Sequence, residues 1–143
     1  MDKNGPVVII EDDSDDRLLL KSVFDDLGYP NKVVFFEDGE QALEYLQDEA
    51  VNPFLILSDI NLPRLDGFEL RKMVQTNDGL SEKCIPYLFF STSVGQKAVY
   101  EAYTMSVQGF FLKPSSYSQL ATTIKKIMEY WQECYAPGQY QRA

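Results

Sequence analysis

The sequence predicts an α/β protein built on an open, doubly wound sheet of about five parallel strands. Five short apolar runs are spaced along the chain. Each is continuous rather than alternating in hydrophobicity, which marks strands covered on both faces. Segments of helical periodicity fill the gaps, and a βα repeat of this kind winds into a parallel sheet flanked by helices.

Taken in order, the first run is "PVVII", Pro6 to Ile10. Leu19, Leu20, Val23, Phe24 and Leu27 then form one helix face, and Gly28 is a suitable C-terminal stop. The second run is "KVVFF", Lys32 to Phe36. Asp38, three residues before Gln41, can cap a helix carrying Ala42, Leu43 and Leu46. The third run, "FLILS", covers Phe54 to Ser58. Phe68, Leu70, Met73 and Val74 suggest a third helix, ended by the polar stretch "QTNDGLSEK". "PYLFFS", Pro86 to Ser91, is the fourth strand, and Ala98, Val99, Ala102 and Tyr103 suggest a weaker helix after it. "VQGFFL", Val107 to Leu112, is the fifth strand. In the last helix Ser116 and Gln119 make a capping pattern before Leu120, Ile124, Ile127, Met128 and Trp131 at helical spacing. Residues 1–134 read as one domain, and 135–143 as a short flexible tail.

Composition narrows the function. The chain has 143 residues and is 45% hydrophobic, enough for one domain with a real core. Its net charge is -9, from 13 basic and 22 acidic residues, which disfavours nucleic acid as a partner. There is no histidine, so Ser-His-Asp and Cys-His catalysis are excluded, with most zinc chemistry. Cys84 and Cys134 lie far apart and read as reduced thiols of a cytoplasmic protein. The polar start "MDKNGP" lacks a signal-peptide core, and no apolar run approaches a membrane span.

The third strand carries an oddity. Its apolar run ends on a carboxylate, Asp59, and the chain then breaks at Pro63. A charge at the end of a buried strand is costly unless something compensates it. In open α/β sheets ligands bind beyond the carboxyl ends of the strands. At that edge the first strand delivers Glu11, Asp12 and Asp13, the third Asp59, the fourth Ser91, Thr92 and Ser93, and the fifth Lys113 followed by Pro114. Crowded carboxylates suit Mg2+, which binds oxygen ligands and keeps several waters. Lys113 offers a point charge, and a serine or threonine hydroxyl a neutral donor, to a phosphoryl oxygen. The best nucleophile is then a carboxylate, and carboxylates do form aspartyl phosphates. Each residue alone has a plainer role. Asp13, Ser14, Asp15 and Asp16 suit helix capping, Asp59 a turn, Ser91 or Thr92 a cap, and Lys113 a solvated surface. The signal lies in all four strand ends together.

These motifs, "IIEDD", "LSDINLPRLDG", "FFSTS" and "FFLKP", resemble the receiver domain of two-component response regulators, over essentially the whole chain. The resemblance implies a flavodoxin-like, CheY-like fold and a phosphorylatable switch. It implies that Asp59 accepts a phosphoryl group from the phosphohistidine of a sensor histidine kinase or histidine phosphotransfer protein. Asp12 would ligate Mg2+ directly, Glu11 through water, and Asn61 through its backbone carbonyl, with Asp13 left as a helix cap. Ser91 matches the switch hydroxyl, with Thr92 beside it, and Lys113 the family's lysine, whose bond to the next proline is often cis. The switch aromatic, often tyrosine, falls on Phe110, which lacks a hydroxyl to bond. With no further domain in the sequence, output would run through a downstream protein target or a homodimer. The "TNDGLSEKCIP" connection and the "EYW" end resemble the small regulators paired with bacterial phytochromes.

Two other functions compete. A phosphatase of the haloacid-dehalogenase type would also use Asp59 as nucleophile, but it needs a second aspartate two residues on, where this chain has Asn61. A receiver-like module that only binds partners would normally have lost Asp59 or Lys113.

Overall fold

The computed structural model describes residues 1–92 and 95–137. Five parallel strands form one sheet: β1 (Val7–Ile10), β2 (Val33–Phe36), β3 (Leu55–Ser58), β4 (Tyr87–Ser91) and β5 (Gly109–Leu112), in the order β2-β1-β3-β4-β5. Six helices connect or follow them: α1 (Ser14–Leu27), α2 (Gly39–Gln47), α3 (Gly67–Thr76), α4 (Asp78–Ser81), α5 (Gln96–Thr104) and α6 (Tyr117–Glu133).

Alternation along each strand divides the core in two. Val8, Ile10, Ile56, Tyr87 and Phe89 face α2 to α5, where they meet Ala42, Leu46, Leu70, Val74, Leu80 and Ala102. Val7, Ile9, Leu55, Leu57, Leu88 and Phe90 face α1 and α6, where they meet Val23, Phe24, Leu120, Ile124 and Met128. Burial of each Val, Leu, Ile, Phe or Met side chain among these contributes about 1.5–3 kcal/mol. The strand order reverses between β1 and β3, and those two central strands end on the acidic residues. A crevice at that reversal is where this architecture binds ligands.

Local signals act as expected. Gly28 closes α1 at φ 71, a left-handed position that glycine adopts without a Cβ clash. Asp38 caps α2 through the Gln41 N–H, and Ser116 caps α6 through the Gln119 N–H. Trp131 is half-buried against the α1/α6 side of the core.

Three expectations are corrected. β2 is not covered on both faces: all four residues are only half-buried, because it is an edge strand. β5, the opposite edge, likewise ends on an exposed Leu112. The polar stretch after α3 contains the short helix α4, capped by Asn77, which sinks Leu80 into the core. Of the expected tail, Ala136 is buried, and residues 138–143 lie outside the described residues, as does Ser93.

Candidate functional site

The backbone ladder brings the four strand ends together. Glu11 N–H donates to the Phe36 carbonyl and Asp59 N–H to that of Ile10, so β1 and β3 run level to their acidic ends. On the other side, Lys113 N–H donates to the Ser91 carbonyl at 2.8 Å. Gly67 lets α3 start directly beneath β3. A Cβ there would stand 2.3 Å from the Asp59 carbonyl oxygen and 2.9 Å from Ile60 Cα and Phe89 Cε1. Asp66 and Glu69 form a capping box at that helix start.

Asp59 is buried at the bottom of the resulting crevice. Its Oδ1 accepts the Ile60 N–H at 2.7 Å. The Ser91 hydroxyl and the Asn61 N–H also hydrogen-bond to the carboxylate. Burial raises its pKa, these three donors pull it down, and the nearby Asp12 charge pushes it up again. Ser91 is fully buried, whereas Thr92 is exposed, so Ser91 is the hydroxyl within reach of Asp59.

Lys113 lies across the crevice with little exposure, and its Nζ is shared among three carboxylates. It pairs with Glu11 Oε1, with Asp16 Oδ2 at 3.2 Å and with Asp59 Oδ2 at 3.3 Å. Burial pushes this ammonium down to about 8, against the acids that favour its charge. Carboxylate oxygens of Glu11, Asp12 and Asp59 lie within 4.8 Å of one another. All are oxygen donors, Glu11 and Asp59 are buried, and Asp12 opens to solvent. That set fits a hard divalent cation that keeps part of its water shell. One ammonium does not neutralise the acids gathered here, and such a cation would offset the remainder.

The other expected residues are close by. Asp13 caps α1, accepting the N–H groups of Asp15 and Asp16 at 2.8 and 3.1 Å. Asn61 follows Asp59 with its side chain exposed. Phe110, half-buried on β5, packs against Phe89 with ring centroids 5.9 Å apart. The Lys113–Pro114 bond, for which the resemblance raised a cis form, is trans, the isomer an X-Pro bond prefers by about 0.5–1 kcal/mol.

Sequence reasoning missed two residues. Asp16 suits the capping group by sequence, but Asp13 already holds its N–H and its side chain reaches Lys113 instead. Arg71 is buried, donates to the carbonyls of Met105 and Ser106 at 3.0 and 2.9 Å, and lies over the Tyr87 ring. Tyr87 in turn donates to the Gly67 carbonyl at 3.1 Å. Arg71 thus ties α3, beneath the crevice, to the end of α5. In the sequence its 34-residue reach to Met105 leaves no local signal.

A model of the response regulator receiver domain matches residues 7–125. The probable methanogenesis regulatory protein FilR2 of Methanothrix harundinacea is 29% identical over 129 residues, 87% of this chain and 82% of that protein. The response regulator Rcp1 of Synechocystis is 27% identical over 140 residues, 92% of this chain and 94% of that one. The solved Mn(2+)-bound form of Rcp1 superimposes with a TM-score of 0.79 at 26% identity, covering 92% of this chain and 97% of that one. The phosphorylated cyanobacterial phytochrome response regulator RcpA gives a TM-score of 0.83 at 29% identity, covering 93% of this chain and 97% of that one.

Proposed function

This chain belongs to the response regulator receiver family, and on that premise we propose that Asp59 takes a phosphoryl group from a partner's phosphohistidine in a Mg2+-dependent reaction. The family's members are phosphorylatable signalling switches. The observation that carries the proposal is the setting of Asp59: a buried carboxylate beside Lys113, Ser91 and an acidic cluster.

In the proposed step an Asp59 carboxylate oxygen attacks phosphorus. The new bond is P–O, the P–N bond breaks, and its electron pair leaves with the donor's imidazole nitrogen. The Ile60 and Asn61 N–H groups hold the carboxylate in place during the attack. Lys113 and the Ser91 hydroxyl engage oxygens of the transferred group, replacing water as donors. Glu11, Asp12 and Asp59, with the Asn61 carbonyl, would hold Mg2+, which supplies charge that offsets repulsion between the carboxylates and the phosphoryl group.

The partners we propose are a sensor histidine kinase or histidine phosphotransfer protein as donor and a downstream protein, or a second copy of the chain, as target. The receiver we propose spans 1–134 and works in the cytoplasm. Among the described residues no helix is long and apolar enough to cross a membrane. The phosphatase reading is weaker, because the acid-base position two residues after the nucleophile is Asn61.

Acetyl phosphate is the simplest donor with which to test this. Wild type should gain one phosphoryl mass with Mg2+ and none in excess EDTA, and Asp12→Ala should need more Mg2+. Undiminished labelling in EDTA would remove the metal from the mechanism.

A further inference from the structure

Asp16 belongs to neither the acidic cluster nor the cap of its own helix, yet it is turned into the crevice. It is half-buried and within 3.2 Å of Lys113 Nζ. Turning inward crowds it against Asp12, Asp13, Asp15 and Asp59. Asp13 already caps α1, and the exposed Asp15 supplies negative charge to the first turn, so the helix does not require Asp16 to face this way. Lys113 is the one cation it contacts among the described residues, and that contact offsets the crowding.

The three carboxylates around Lys113 are not equivalent. Glu11 and Asp59 are also members of the cluster that fits a divalent cation, whereas Asp16 is not. We propose that Asp16 is a positioning residue: as a third partner of the Lys113 ammonium it takes up part of the charge that Glu11 and Asp59 would otherwise hold between them, loosening the hold of Lys113 on those two carboxylates beside the metal site. This rests on the receiver reading above and adds a residue to it. Two effects of opposite sign follow from Asp16's charge. With Asp16, Lys113 competes less with the cation for Glu11 and Asp59. With Asp16, a phosphoryl group on Asp59 must share Lys113 and faces one more negative charge.

The test measures two binding constants by NMR titration in wild type, Asp16→Asn, Asp16→Glu and Asp15→Asn. One is for Mg2+ alone, and the other for beryllofluoride at saturating Mg2+. Asp16→Asn should weaken Mg2+ binding at least threefold and tighten beryllofluoride binding at least threefold. Asp16→Glu, which keeps the charge, should lie between it and wild type. Asp15→Asn removes the same charge from the same helix turn without touching Lys113, and should stay within twofold of wild type for both. If Asp16→Asn does not fold, Asp16→Ser replaces it under the same criteria. Constants that move in the same direction, or no further than in Asp15→Asn, overturn the role of Asp16 alone. A wild-type protein that binds neither Mg2+ nor beryllofluoride overturns the receiver reading, and this inference with it.

Discussion

Asp59 and Lys113 face each other in the crevice, and burial shifts both. Burial disfavours both charges, and each lies within 3.3 Å of the other. In metal-free protein the shift of Lys113 makes stability depend on pH. Its pKa falls from 10.5 to about 8. Between those values the unfolded chain keeps a proton the folded chain has lost, so this group's contribution to stability rises with pH. Urea melts in EDTA across that window should show the rise in wild type, and Lys113→Met should lack it. An identical profile in the variant would show that Lys113 titrates normally. Asp59 and Lys113 were legible in the sequence because each ends or follows an apolar run. Asp16 was not, because in "EDDSDD" every acid after Asp12 suits a helix cap, and only the chain's path shows which one turns inward.

Among the elements, α3 has the most direct hold on the site. Its first residue, Gly67, donates its N–H to the Ile60 carbonyl at 2.8 Å and leaves no room for a side chain. Gly67→Ala should therefore displace the loop carrying Asn61 and weaken Mg2+ binding at least threefold, read from the same titration; unchanged affinity would mean that the loop adjusts freely. One turn further on, Arg71→Ala should cost about 1.5–3 kcal/mol in chemical denaturation, since two carbonyls lose a charged donor. A loss under 0.5 kcal/mol, the range of ordinary surface changes, would show that water replaces it. The buried strands were readable from their unbroken apolar runs. The edge character of β2 was not, because "VVFF" carries the composition of a central strand, and position in the sheet is set by topology. The helix α4 was hidden because its one buried residue, Leu80, sits among Asn77, Asp78 and Glu82.

For the whole molecule, charge arriving at Asp59 has to reach a surface. A phosphoryl group adds about -1.5 to -2 at neutral pH. Drawing Ser91 and Lys113 toward it would free space beside Phe110, which already packs half-buried against Phe89. Reorientation of Phe110 would reshape the face made by α5, β5 and α6. Tyr100, Tyr103 and Tyr130 are all exposed there, together with Leu112, and aromatic residues are enriched at interfaces. Tyr117 differs, since its hydroxyl bonds to Asp26 and to the Ser22 carbonyl on α1. Beryllofluoride should therefore change self-association or partner affinity, with shifts spreading from Asp59 to Tyr100 and Tyr103, as read by NMR and sedimentation. Shifts confined to the crevice, with unchanged mass, would leave this face without a role in output.

The most direct measurement locates the phosphoryl group itself. Protein treated with acetyl phosphate and Mg2+ can be reduced with borohydride, which converts an aspartyl phosphate to homoserine, and mapped by peptide mass spectrometry. Homoserine at position 59 and at no other aspartate is the expected result, with none in Asp59→Asn. Homoserine at Asp12, Asp13 or Asp16, or undiminished incorporation in Asp59→Asn, would contradict the assignment of Asp59 as phosphoacceptor.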